Sequence, residues 1–168
     1  GWARRFGDAC LTAAMDAIRM PMTIFKAGRL TYVFVPGLMH GTLVCTLPDG
    51  RPIVYTEAKI SKVEKFDRLI DAITYQSGGG RKTLWAGLLV ENATQGTAAS
   101  ILRDTLRALD SRTDVVVGHT HDEVIAEVAA ANASGFADEL KALMVTPPGW
   151  AVGLPLDAEI TTDVYYHK

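Results

Sequence analysis

Only two cysteines occur in the sequence, Cys10 and Cys45, far apart and in apolar contexts. That removes a disulfide framework or a cysteine metal site from consideration, and it suits a reducing, cytosolic setting. No apolar run approaches the ~18 residues that span a bilayer, and no signal peptide is visible. No membrane partner is therefore expected. A basic excess is also missing: the formal net charge is −2 and the sequence pI about 6.1. A nucleic-acid binder that works by overall charge alone is disfavoured, although a local basic patch is compatible with those totals. There is no internal repeat, no low-complexity tail and no clear linker. The chain opens on Gly1-Trp2 instead of Met, which reads as an excised or processed piece.

What is present suits one domain or a large part of one. The chain has 168 residues, 48% hydrophobic and 21% charged, enough apolar content to bury a core. Trp2 to Arg19 has apolar residues at three- and four-residue steps (Trp2, Phe6, Ala9, Cys10, Ala13, Ala17, Ile18), which predicts an amphipathic helix ended by Pro21. From Met22 to Thr56, short β-rich runs alternate with Ala27-Gly28, Pro36-Gly37 and Pro48-Asp49-Gly50, which predicts a small antiparallel meander. His40 falls in one of its loops. Lys62 to Thr74 reads as a charged helix with Phe66, Leu69, Ile70 and Ile73 buried. Along it the signs alternate, which favours a solvated face over a phosphate track. Ser77 to Lys82 reads as a flexible glycine tract without the spacing of a P-loop; Arg81 and Lys82 could touch a nucleic-acid backbone. Leu84 to Leu109 reads as a long helix. Asn92 and Gln95 stand a three-residue step apart within it, and their amides both donate and accept hydrogen bonds. Such groups suit the minor groove, where acceptor positions are much the same for every base pair. A further helix carries Phe136, Leu140, Leu143 and Met144, with Asn132 or Ser134 as its cap, and a last strand is expected over about Leu156 to Tyr166.

The stretch Val115 to Val128 concentrates the chemistry. Val115-Val116-Val117 leads in and Val124-Ile125-Ala126 leads out, with Gly118-His119-Thr120-His121-Asp122-Glu123 between them. That is a hairpin with a polar tip. Asp122 and Glu123 offer hard oxygen ligands suited to Mg²⁺. Neighbours on a strand point to opposite faces, so one of them would ligate and the other support. A two-metal phosphoryl-transfer site needs carboxylates from a second segment as well.

Gly118-His119-Thr120-His121 resembles the last metal motif of calcineurin-like metallophosphoesterases. The partner motifs of that family are missing: the four histidines are His40, His119, His121 and His167, and none lies in an upstream Asp-x-His or Asn-His-Glu. A wider resemblance covers most of the chain. His121-Asp122-Glu123 between apolar strands resembles motif C of the family A DNA polymerases. Asn92-Ala93-Thr94-Gln95-Gly96-Thr97-Ala98-Ala99-Ser100 is similar to that family's N-x-x-x-Q-G-T-A-A-D segment, with Asn one residue closer to Gln here. Leu89 to Gln95 followed by Arg103-Asp104 is closer still to bacteriophage and prophage members. So are the turn Leu47-Pro48-Asp49-Gly50-Arg51 and the stretch Pro147-Pro148-Gly149-Trp150, Gly153-Leu154-Pro155-Leu156 and Glu159.

The resemblance implies an α+β fragment of a polymerase palm: a motif C hairpin backed by helices, plus the meander. Residues 1–76 would hold helix, meander and helix, and residues 77–168 the palm part with its C-terminal helix and strand. It implies DNA replication chemistry, the transfer of a nucleotide to a primer 3′-hydroxyl with two Mg²⁺. Asp122 would be the metal ligand, with Glu123 an auxiliary catalytic carboxylate. His121 and Gln95, and less directly Asn92, would face the minor groove of primer–template DNA. Arg81, Lys82 and Arg103 would be backbone contacts, though Arg103 has an acidic neighbour with which it could pair instead. The family's motif A aspartate and its nucleotide-gripping motif B have no counterpart here. The partners would thus be primer–template DNA, a deoxynucleoside triphosphate and the rest of a longer polymerase chain in the cytoplasm of a bacterium or phage-infected cell. The other readings are a metallophosphoesterase, or an inactive prophage remnant or assembly module.

Overall fold

Small residues decide how the N-terminal helix packs. Helix α1 covers Trp2–Arg19, and Gly7, Cys10, Ala13, Ala14 and Ala17 recur on its buried side. Short side chains at those steps let a helix lie close against a sheet. Trp2, by contrast, is 74% exposed and takes no part in that stripe. The helix ends at Met20, just before Pro21, and Met22 then adopts a positive φ of 62°.

The computed structural model describes residues 1–65, 67–110 and 115–166. They form two compact units, Gly1–Thr97 and Ala98–Lys168. The first unit is a six-stranded antiparallel meander in strict chain order. Its strands are β1 (Phe25–Ala27), β2 (Leu30–Val35), β3 (Thr42–Thr46), β4 (Pro52–Lys65), β5 (Arg68–Ser77) and β6 (Gly80–Leu84). α1 packs against β1 to β4. The core holds Leu30, Tyr32, Leu43, Cys45, Tyr55, Ile73 and Leu84 from the sheet, together with Leu89 and Ala93 from the helix that follows. Burying each large aliphatic side chain of this set contributes ~1.5–3 kcal/mol.

Two sequence expectations are overturned in this unit. Lys62 to Thr74 is not a helix. It forms the outer parts of β4 and β5, paired from Lys59↔Thr74 to Lys65↔Arg68; Phe66, expected in the helix stripe, lies outside the described residues. Arg81 and Lys82 do not belong to a loose glycine tract either. They lie on β6, paired with Gln76 and Tyr75, and Gly78 takes a φ of 53° in the tight turn that joins β5 to β6.

Helix α2 runs from Ala86 to Asp110, on both sides of the division between the units. In the second unit, β7 (Val116–Thr120) and β8 (Glu123–Ala126) form a two-stranded antiparallel hairpin. α3 covers Ala133–Val145 and starts at Asn132, whose side chain makes no capping hydrogen bond. Short 3₁₀ turns cover Ala130–Asn132 and Gly149–Ala151. The expected last strand over Leu156 to Tyr166 is absent: those residues have no strand partner and run as irregular chain. Among the described residues no helix is long and apolar enough to cross a membrane.

Candidate functional site: the β7–β8 hairpin

β7 and β8 are joined by the two-residue turn His121-Asp122, with Thr120 opposite Glu123, His119 opposite Val124 and Gly118 opposite Ile125. The register slips between Val116 and Gly118. Beyond the strands, the Glu127 N–H donates to the Val115 carbonyl at 2.8 Å. Neither turn residue has a positive φ, so the hairpin closes without the mirror-image turn that favours Asn-Gly.

The two carboxylates at this tip differ. Glu123 is half-buried, and its Oε2 accepts from the Thr120 hydroxyl at 3.1 Å and from the Tyr166 hydroxyl at 3.3 Å. Asp122 is exposed and makes no hydrogen bond or ion pair among the described residues. A held carboxylate thus sits beside an unengaged one at the apex. His119 and His121 are exposed as well. Among the described residues no three of His, Cys, Asp and Glu gather closely enough to hold a metal ion. As a donor set the tip therefore fits part of a Mg²⁺ site, one hard oxygen ligand at Asp122, and further ligands would have to come from elsewhere.

In the first unit, α2 is fastened to the sheet at two points. The Asn92 Nδ2 donates to the Tyr55 hydroxyl at 3.1 Å. Tyr55 is buried and meets Tyr75 edge-on, with ring centroids 5.2 Å apart. Burial pushes the Tyr55 phenol up to about 12, and the Asn92 hydrogen bond opposes that rise. The second point is the turn between β3 and β4. The Gly50 N–H donates to the Leu47 carbonyl at 2.9 Å, and the Leu47 N–H to the Arg51 carbonyl at 2.8 Å. Asp49, its side chain only 1% exposed, holds the Arg51 guanidinium at 3.3 Å. That guanidinium then donates to the Gly96 carbonyl of α2. A Cβ at 96 would stand 2.8 Å from Leu47 Cδ1, so the Leu47 side chain packs directly over this glycine and would have to shift to admit one. Two motifs 45 residues apart, Leu47-Pro48-Asp49-Gly50-Arg51 and Gln95-Gly96, are therefore one contact. Gln95 itself is exposed, its amide donating to Glu91 at 3.3 Å.

Arg81 Nε donates to the Thr74 hydroxyl at 3.2 Å, and its guanidinium also donates to the Glu57 carbonyl and pairs with the Glu57 carboxylate at 3.9 Å. Lys82 is exposed on β6. In the second unit Arg103 pairs with Asp104 at 2.9 Å, and Asp104 also accepts from the Trp150 indole at 2.7 Å. Burial raises the Asp104 carboxyl, but the Trp150 and Arg103 hydrogen bonds and the charges of Arg103 and Arg107 outweigh it, leaving it below its ordinary 3.8. Sequence reading assigned no role to Arg51, Asp49, Tyr55, Asp104 or Tyr166. Their one visible signal was that Leu-Pro-x-Gly-Arg and Pro-Pro-x-Trp carry a charged or indole group inside turn chemistry, where a fixed partner is the ordinary reason for such a group.

No family model matches the chain, and no solved structure matches it. Among curated proteins it is similar to the DNA polymerase of Bacillus phage SP02, with 34% identity over 161 residues. The match covers 93% of this chain and 24% of that polymerase, so the chain is related to a DNA polymerase over almost its whole length and spans about a quarter of the relative's.

Proposed function

We propose that this chain is the motif C part of a family A DNA polymerase, acting within a longer polymerase chain. One observation carries the reading: similarity to a phage DNA polymerase runs through 93% of the chain, hairpin and α2 included. The geometry is compatible with it. Asp122, unengaged at the apex, would be this chain's ligand for catalytic Mg²⁺, and a carboxylate from outside the chain would complete the site. Bound metal would stabilise the attacking 3′-oxygen and the leaving oxygen of an in-line displacement at the α-phosphate. Glu123, tethered by Thr120 and Tyr166, would fix the hairpin tip and add negative potential beside Asp122. His121 and Gln95, both exposed, would donate to minor-groove acceptors of the primer–template end. The palm assignment belongs to the same proposal.

The test is primer extension by the longest reading frame that includes this segment, as wild type and as Asp122→Ala. Metal-dependent extension is expected in the wild type. The variant should lose it by at least about 10³-fold, the scale set by removing a group that stabilises charge in the transition state. The isolated chain is expected to bind Mg²⁺ weakly and to be inactive, and robust extension by it would refute the proposal. A folded long form that never extends a primer would favour an inactive remnant. Phosphodiester hydrolysis with Mn²⁺ would then test Gly118-His119-Thr120-His121.

A further inference from the structure

Helical periodicity interleaves the charges between Lys59 and Asp71, whereas the observed strands sort them. Side chains alternate faces along a strand, and the register fixes which residues share one. Lys59 lies opposite Thr74, Ser61 opposite Ala72, Val63 opposite Ile70, and Lys65 opposite Arg68. Gln76 opposite Arg81 and Thr74 opposite Thr83 continue that face onto β6. The hydrogen bonds Ser61 to Thr74, 3.1 Å, and Arg81 to Thr74, 3.2 Å, hold it together. The other face carries Ile73, Leu84, Tyr55 and Tyr75 into the core and, further out, the Lys62–Asp71 ion pair at 3.0 Å and the pair Glu64–Leu69. Lys59, Lys65, Arg68 and Arg81 thus share one face, on which Arg81 is paired with Glu57. The ribbon carboxylates Glu64 and Asp71 lie on the opposite one.

The shape adds to this. β3 pairs with β4 only at Pro52 to Tyr55, and β6 pairs with β5 only from Ile73 onward. From Ser61–Ala72 to Lys65–Arg68 the ribbon is two strands alone, spanning about 14 Å at ~3.4 Å per residue. A two-stranded ribbon is marginal in water by itself, and a flat edge invites pairing that surface lysines discourage. Protection of an edge needs charge on either face. It does not call for Lys59, Lys65 and Arg68 together on one face with Glu64 and Asp71 on the other.

We propose that the projecting β4–β5 ribbon is a contact for duplex DNA, with Lys59, Lys65 and Arg68, supported by Arg81, meeting phosphates along the backbone. The occupant is argued from charge complementarity, and the identification of the duplex as DNA rests on the polymerase reading above. Lys59 and Lys65 are six positions apart on one strand, about 20 Å, a span that covers several successive phosphates.

The experiment is fluorescence anisotropy of a labelled DNA duplex of about 20 base pairs, titrated with the chain between about 50 and 200 mM salt. The variant is Lys59→Gln/Lys65→Gln/Arg68→Gln. A charge-matched control removes three exposed cations elsewhere in the same unit, Arg4→Gln/Arg5→Gln/Lys26→Gln. Circular dichroism confirms that all three proteins fold alike. The ribbon variant should flatten the dependence of log K on log salt by about 3, roughly 0.9 for each phosphate that it no longer neutralises, while the control stays near wild type. Equal weakening in ribbon variant and control would reduce the effect to bulk charge and overturn the proposal. So would a wild type that does not bind duplex, or a ribbon variant that binds like wild type. None of these outcomes touches the Asp122→Ala extension test, so the ribbon and the polymerase reading fail separately.

Discussion

Asn92 holds the first turns of α2 to the sheet. The family resemblance makes it a minor-groove amide, yet its Nδ2 is committed to the Tyr55 hydroxyl at 3.1 Å. Tyr55 is 2% exposed, so its hydroxyl has no water to fall back on, and an unsatisfied buried polar group costs about 1–3 kcal/mol. Asn92→Ala should therefore destabilise the first unit by that amount in urea denaturation. Tyr55→Phe removes the stranded hydroxyl, so the double variant should cost clearly less than the two single effects added together. Strict additivity would mean that the hydrogen bond does not matter. Gln95, one turn-step away, is held among the described residues by Glu91 on its own helix, and Gln95→Ala is expected to leave stability within about 0.5 kcal/mol of wild type.

Arg51 acts between elements. It joins the β3–β4 turn to α2 through the Gly96 carbonyl, and buried Asp49 sets its direction. A lysine there keeps the charge and loses the planar fork that can hold a carboxylate and a carbonyl together. Arg51→Lys should cost about 1.5–3 kcal/mol, the range for hydrogen bonds to charged groups. Hydrogen exchange should show faster opening of the first turns of α2 than of β2 and β3, and unchanged protection at Leu89 to Gly96 would sink the idea. At this same scale the sequence misled most. Leu69, Ile70 and Ile73 fit a helical stripe, and short apolar runs do not separate helix from strand. The β4–β5 connection contains neither Gly nor Pro, and Asp67 takes the positive φ of 58° itself, so nothing punctuated the hairpin. Leu156 to Tyr166 erred in the other direction. Its β-branched and aromatic residues fit a strand, but a strand forms only where a neighbour offers backbone groups to pair with, and among the described residues none pairs with it. α1 and the β7–β8 hairpin were legible because a long amphipathic period and a polar tip between β-branched runs are strong local signals. The Arg51–Gly96, Asn92–Tyr55 and Asp104–Trp150 contacts join residues far apart in sequence, and no local pattern carries them.

At the scale of the whole molecule, the described acids whose ionisation is raised all lie in the first unit. Burial pushes the Cys45 thiol from 9.0 up to about 11, with the Tyr32 hydroxyl pulling the other way. Burial raises Cys10 as well. The Tyr32 phenol is raised far above its usual range, first by burial and then by the two thiols beside it. It has no nitrogen or oxygen partner. Tyr55 rises from 10.0 to about 12. In each case the folded chain keeps a proton that the unfolded chain releases. Between the two values the unfolded state binds fewer protons, so stability falls as pH rises. For Cys45 the window runs from about 9 to about 11 and for Tyr55 from about 10 to about 12. Each titrating group contributes a slope of up to about 1.4 kcal/mol per pH unit. Below about pH 9 that contribution is fully present and does not change with pH, so the decline these groups cause should begin above about pH 9. Cys45→Ala offers the control. Removing a buried thiol lowers stability at every pH through the space it leaves, but it should also make the decline between about 9 and 11 shallower by roughly one group's slope. Guanidinium unfolding across that range reads both effects at once. A wild-type profile that stays level up to about pH 11 would mean that water reaches these groups and that the thiol–phenol cluster under α1 is not a dry core.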